Sequence, residues 1–470
     1  MFEPASPDMH MGLSNIYLLQ KQEVTMNKAA ALLILVTALI ILNNCSSNPA
    51  KTENEHQNEF AEMKVMKSEG VSRQTAIDVS SDDMNALVQG NIKFAFDMYA
   101  QMVAIKENHE KNVFFSPYSI SVALAMTLSG AEGKTETEMH NAMRFALAEP
   151  DLHKAFNKLD MDMETAAEKQ ENLTLSVVNT LWGQHDYSFR LSFLDMLAAQ
   201  YGAGMNLVDF KNSPEPSRIL INKWVEEQTH DRIKDLLPKS SINSMTTLVL
   251  TNAIYFLADW LKQFNPDYTI EKDFLRVDGT TVTASLMSMS TIDKKVKVPF
   301  AFNKTKTIKA IELAYVGDRF SMMAIMPVNE DFAALEINLD TEELNSLVSG
   351  LDSTNLHVSL PRFTFGSSSI SLSEPLQNMG MNLAFNNADF SGIDGTRFLF
   401  ISNVYHKAFI EVTEQGTEAA AATAVVIAKS SIPAPSFIAN RPFIYLIRDR
   451  VTGAILFMGR VMDPTDKGEA

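Results

Sequence analysis

Cysteine is almost absent from this 470-residue chain. Cys45 stands alone, so no disulfide can form within the chain and stability has to come from packing. After Cys45 no run of 18 or more apolar residues occurs, which leaves no candidate membrane-spanning helix in the body of the sequence. Positive charge is also in short supply. Lys and Arg total 40 against 57 Asp and Glu, a formal net charge of −17. No basic stripe interrupts that balance, so nucleic acid and polyanion cofactors are not expected partners, and the acid excess reads as a solvated surface.

Familiar catalytic motifs are missing as well. "GAEGKT", Gly130 to Thr135, imitates a phosphate loop but has two residues between its glycines where that loop needs four. His109-Glu110 opens a zinc-protease motif that no second histidine completes, and no G-x-S-x-G elbow occurs. The nine histidines are scattered without metal-ligand spacing. No cofactor and no metal are expected, and turnover chemistry is disfavoured.

What is present begins at the N-terminus. Met26 has the look of a true start, leaving 1–25 as an upstream extension. Lys28 then precedes the apolar run Ala29–Leu42, of secretory-signal length, and Cys45 follows directly. Residues 26–45 therefore read as a signal peptide with a lipobox-like end, Cys45 being the lipidation candidate, although "LNN" departs from the usual small-residue pattern. A plain cleaved signal is the alternative. Residues 46–85 are polar and poor in aromatics, and read as a flexible tether. Residues 86–465 form one domain, because no Gly/Ser/Pro-rich linker divides them. Helical spacing dominates early ("DDMNALVQGNIKFAFDMYAQMVAI", "SPYSISVALAMTLSGAEG") and strand-like runs dominate late ("HVSLPRFTF", "KAFIEVTE", "RPFIYLIRD"). That segregation predicts an α+β fold.

One segment conflicts with itself. "EQGTEAAAATAVVIAKSSIPAP", Glu414 to Pro435, joins a helix-favouring alanine run, a strand-favouring Val425-Val426-Ile427 run and a loop-like Ser/Pro end. Local disagreement of this kind tends to mark function.

The surroundings resolve the conflict. "HKAFIEVTEQGTEAAAATAVVIA" and "FIANRPFIYLIRDRVTGAILFMGRVMDP" resemble the serpin family closely. The match continues upstream through "NVFFSPYSISVALAMTLSGAEGKT", "INKWVEEQTHDRIKDLL", "LVLTNAIYFLADWLKQF", "IELAYVGDRFSMMAIMP" and "VSLPRFTF", in family order. The resemblance implies an α+β serpin fold of three β-sheets and about nine helices, with an exposed reactive-centre loop. It implies a suicide substrate rather than an enzyme. A protease attacks the loop, and the cleaved loop then inserts into the large sheet while the acyl-enzyme is trapped. The alternative within the family is a non-inhibitory carrier, chaperone or storage protein.

Residue by residue, the resemblance implies a hinge at Glu414, Gly416, Thr417, Glu418, Ala419, Ala420, Ala421 and Ala422. As a strand, with Thr417 inward, the hinge sends small side chains inward and Glu418 outward, where water solvates it. Gly416 is expected to absorb a backbone turn. Family spacing places the reactive bond at Ser430–Ser431, while Lys429–Ser430 suits trypsin-like chemistry; the two stand as alternatives. Ser116, Ser119, Asn252 and His406 match a sheet-opening polar cluster, although Ser116 before Pro117 also reads as a helix cap and His406 as a satisfied core histidine. Trp260 matches the aromatic where the loop first enters, and Phe264, Thr269 and Phe274 read as structural. The implied partners are serine proteases of elastase-like or trypsin-like specificity, with cysteine proteases as a further class. The protein is expected to be a monomer, secreted or extracellular, and touching a membrane (a bacterial surface or outer membrane) only through a lipid anchor.

Overall fold

The computed structural model describes residues 63–289, 295–417 and 435–469. Cys45, the hinge residues from Glu418 onward, and Lys429, Ser430 and Ser431 lie outside the described residues.

Among these residues the large sheet has eight strands. Across it run Lys64–Met66, Met205–Val208, Leu173–Gln184, Leu248–Asp259, Gly416–Thr417, Ile401–Val412 and Phe363–Gly366, and Ile370–Ser371 also pairs with Ile401–Val412. Leu248–Asp259 reads as an almost unbroken apolar run because both of its faces are covered. Leu248, Leu250, Ile254 and Phe256 join the main core, while Val249 and Ala253 join a second cluster with Trp182, Ile221 and Val225. Ile221 and Val225 come from the helix Pro214–Gln228, which therefore lies on the opposite face of the sheet from the main core.

Ten further strands form a second surface, in which Asp352–Pro361 serves two sheets. Its first half pairs with Val296–Phe302, and its second half with Thr281–Ser288 and, in parallel, with Ser436–Ile438. Among the described residues three sheets thus result, two of them continuous through one long strand. Ten α-helices are present among the described residues. The most central, Pro117–Leu128, is capped by Ser116, whose Oγ accepts the Ser119 N–H (3.1 Å), and Pro117 supplies a preset φ at its first position. Every residue of that helix is buried, as expected for one packed all round between the large sheet and the Ile455–Val461 strand.

The tether expectation needs correction over 63–85. Lys64–Met66 adds an antiparallel edge strand to Met205–Val208. The Gln74 N–H donates to the Ala199 carbonyl (2.8 Å). Arg73 reaches Asp160 (2.6 Å), Glu164 (3.1 Å) and Asn157 (2.8 Å), and a helix starts at Ser81. Among the described residues the folded body therefore includes 63–85 as well as the residues from 86 onward. The polar composition was misleading because these partners lie more than 80 residues away in sequence. Arg73→Ala is expected to lower the first chemical-denaturation transition by about 1–2 kcal/mol, the scale of charge-assisted hydrogen bonds in a half-buried site. A midpoint equal to wild type would show that the strap carries no stability.

Candidate functional site

The site is built where Ile401–Val412 ends. The chain turns over Thr413–Gln415, with the Thr413 N–H donating to the Gly416 carbonyl (2.8 Å), and returns as Gly416–Thr417. That short strand lies antiparallel to both neighbours, with Thr417 opposite Val412 on one side and Ala258 on the other. Farther down, the two neighbours pair directly and in parallel, from Leu248 opposite Ile401 to Ile254 opposite Ala408. The large sheet is therefore parted at one end by the first hinge residues and closed below them.

Gly416 owes its identity to space. Its φ is not left-handed, and a Cβ added there would stand 2.1 Å from the Ala258 carbonyl oxygen and 2.6 Å from the Asp259 Cα. Close strand approach thus requires glycine here, since only glycine leaves room for the inserted backbone. Thr417 is buried, and its Oγ1 hydrogen-bonds the Tyr315 hydroxyl (2.8 Å). Its side chain therefore points into the molecule, and burial pushes the Tyr315 hydroxyl well above the usual phenol range.

Trp260 roofs the turn. Its indole N–H donates to the Thr413 carbonyl (2.9 Å) and its backbone N–H to the Gln415 carbonyl (2.8 Å). The indole stacks on Tyr315 at 4.5 Å and 10°, and meets the edge of Phe264 at 6.1 Å. Glu414 is buried, and its Oε1 accepts from Arg362 (2.6 Å) and from the Thr269 hydroxyl (2.5 Å). Burial alone would raise this carboxyl; the Arg362 and Thr269 hydrogen bonds outweigh it and hold the group below the ordinary glutamate range. Thr269, read from sequence as structural, is thus part of the hinge latch.

The polar cluster lies below, on the closed part of the sheet. Asn179, Asn252 and His406 stand abreast on three adjacent strands. His406 Nε2 faces the Ser116 backbone N–H (3.1 Å), an obligate donor, so Nε2 accepts and the ring proton sits on Nδ1, which donates to Asn252 Oδ1. Asn252 Nδ2 donates to the Ser119 hydroxyl (2.5 Å) and to Asn179 Oδ1. Ser119 Oγ in turn donates to Asn179 Oδ1 (3.1 Å). All four residues named from sequence are brought together here. Ser116 Oγ donates to the Leu456 carbonyl (2.6 Å) and not to the imidazole, so Ser116 and His406 are not a nucleophile–base pair. Asn179, Tyr315 and Arg362 were missed. Asn179 interrupts the apolar run "SVVNTLW", which was a usable signal, whereas Arg362 and Tyr315 carried none.

Burial of the imidazole drives His406 down to about 3, with the Asn252 contact opposing in part. The unfolded chain protonates this histidine near pH 6.5. Between those values the unfolded state binds the extra proton, so stability is intact above about pH 6.5 and falls as the pH drops toward 3, by up to about 5 kcal/mol. His406→Gln is expected to flatten this part of the stability–pH curve, measured by chemical denaturation across pH 3–7; an unchanged slope would rule out His406 as its source.

Comparison with known proteins agrees with this geometry. The sequence pattern of the family described as serpin (serine protease inhibitor) matches residues 89–464. Human Serpin B3 is 38% identical over 402 residues, covering 81% of this chain and 100% of that protein. The leukocyte elastase inhibitor of Xenopus laevis is 37% identical over 379 residues, covering 79% and 97%. Among solved structures, thyroxine-binding globulin in complex with thyroxine matches with a TM-score of 0.71 at 27% identity, covering 82% of this chain and all of that one. The chain belongs to the serpin family.

Proposed function

We propose that this serpin inhibits serine proteases as a suicide substrate. The observation that carries the reading is the hinge, whose Gly416–Thr417 already occupies the gap between Leu248–Asp259 and Ile401–Val412. A strand begun there is one that the rest of the loop can extend. The relatives named leukocyte elastase inhibitor support a protease as partner.

In this mechanism the protease serine attacks the carbonyl of Ser430, or of Lys429. The peptide bond to the next serine breaks, its nitrogen leaves as an amine, and the loop stays on the enzyme as an ester. The cut end is then free to follow Thr417 into the sheet. Insertion separates the parallel register from Leu248/Ile401 to Ile254/Ala408 and replaces it with two antiparallel ladders. At about 0.5–1.5 kcal/mol net per hydrogen bond, a dozen residues contribute on the order of 10 kcal/mol. That rivals the whole stability of an ordinary domain, so the uncut state is held kinetically. Small side chains from Ala419 to Ala422 suit passage between strands. Export and lipidation of Cys45 belong to the same proposal, and would place the inhibitor where extracellular proteases act.

Incubation with trypsin or an elastase is expected to yield a covalent band at the summed mass on denaturing gels, and the released C-terminal peptide should begin at Ser430 or Ser431. Thr417→Arg would push a cation against Tyr315, and is expected to abolish the band while the loop is still cut, raising the stoichiometry of inhibition at least about tenfold. Loop cleavage by every protease tried with no covalent band in the wild type would favour the carrier, chaperone or storage reading.

A further inference from the structure

The loop leaves and rejoins the body at neighbouring places. Its near end passes Glu414, held by Arg362, and its far end resumes as Ser436–Ile438, where Ile438 stands opposite Ser359, three residues before Arg362. Seating a dozen residues from Thr417 onward carries the chain about 40 Å along the large sheet, at about 3.3 Å per residue. Seven residues, 429–435, then remain for the return to Ser436. Fully extended, they reach about 25 Å at most. An uncut loop therefore inserts only if Ser436–Ile438 lets go of Asp352–Pro361. Whatever holds that short strand decides whether the loop stays available to a protease.

Three residue pairs hold it, from His357 opposite Ser436 to Ser359 opposite Ile438, and one side chain from another sheet reaches across. Lys309 projects from Ile308–Ala314, donates through Nζ to the Ser436 carbonyl (3.3 Å), and lies 5.6 Å from the ring centroid of the fully buried Phe437. Both contacts belong to an ammonium: a carbonyl dipole and the negative face of a ring attract the cation, and a neutral amine keeps little of either. Arg441, reaching in from just beyond Ile438, is itself held by the Pro327 (3.3 Å) and Val328 (3.0 Å) carbonyls. Glu330 acts on Arg441, and His357 stands opposite Ser436 in the ladder.

We propose that Lys309 is a positioning residue that keeps the uncut loop out of the large sheet, clamping Ser436–Ile438 through the Ser436 carbonyl and the Phe437 ring, and releasing that strand when its charge is lost. The proposal rests on the inhibitory reading above, in which an available loop is what matters. Burial, with the nearby charge of Arg441, lowers Lys309 to about 8. The clamp is thus closed at neutral pH and opens in mild alkali, within the range a protein survives.

The test incubates uncut wild type, Lys309→Arg, Lys309→Met and Phe437→Leu at about pH 7 and about pH 9.5, either side of the Lys309 titration. Conversion to a loop-inserted monomer is read as growth of a second, hotter melting transition, with mass spectrometry confirming an intact chain. Wild type is expected to convert about tenfold faster in alkali, the factor that loss of a desolvated cation–π contact and its hydrogen bond implies. Lys309→Met and Phe437→Leu should convert fast at both pH values, and Lys309→Arg, which keeps its charge, slowly at both. Equal wild-type rates at the two pH values, or Lys309→Met as slow as wild type at about pH 7, would overturn the clamp. Time-zero samples are also mixed with trypsin and an elastase. Absence of a covalent band there counts against the inhibitory reading alone, because the melting assay needs no protease.

Discussion

The parallel pairing of Leu248–Ile254 with Ile401–Ala408 is the constraint on which the rest of the molecule turns. Those two strands cannot pair with each other and also with an inserted loop. While they are paired, the stretch from Ile254 and Ala408 downward offers no slot for a further strand. Once they part, every residue that enters gains hydrogen bonds on both sides. The sheet is thus a two-state element, and the surrounding side chains act by setting how readily it opens. At the parted end, Trp260, Tyr315 and the Glu414–Arg362 pair hold the first hinge residues in place. On the closed part, Asn179, Asn252 and His406 span three strands over the segment that must separate.

Polar side chains at that closed part make physical sense where apolar packing would not. A buried methyl cluster pulled apart leaves a void, with the full cavity cost. Amides, hydroxyls and an imidazole exchange partners as strands slide, provided each finds another donor or acceptor. The arrangement is demanding, since among the described residues Asn179 Nδ2 has no hydrogen-bond partner in the closed state. Keeping His406 neutral is part of the same economy, because a protonated Nε2 would face the Ser116 N–H with no acceptor to offer.

The two ends of the loop are held by different physics. The near end is seated by steric fit, hydrogen bonds and a buried ion pair, all of which tolerate ordinary pH. The far end is a three-residue strand braced by a cation that meets a carbonyl and a ring. An inhibitor of this kind needs the near end ready to advance and the far end reluctant to release until the chain is cut.

Much of this was legible in the residues themselves. The α+β class followed from helical spacing early and strand patterning late. Trp260 and the quartet Ser116, Ser119, Asn252 and His406 followed from a family pattern spread along the chain. Other features needed the fold, because they depend on which distant residues become neighbours. Arg73 counted as part of a polar tether until Asp160, Glu164 and Asn157 were brought to it. That Gly416 leaves no room for a Cβ beside the Ala258 carbonyl also appears only in the fold. Nothing in the sequence singled out Lys309, whose contact with the Phe437 ring exists only in the fold. Sequence by itself determined which segments are apolar, which are small and which can alternate, since those are properties of the residues. Only the tertiary structure decided what each charge faces and where backbones meet, since burial and distance belong to pairs of residues far apart in the chain.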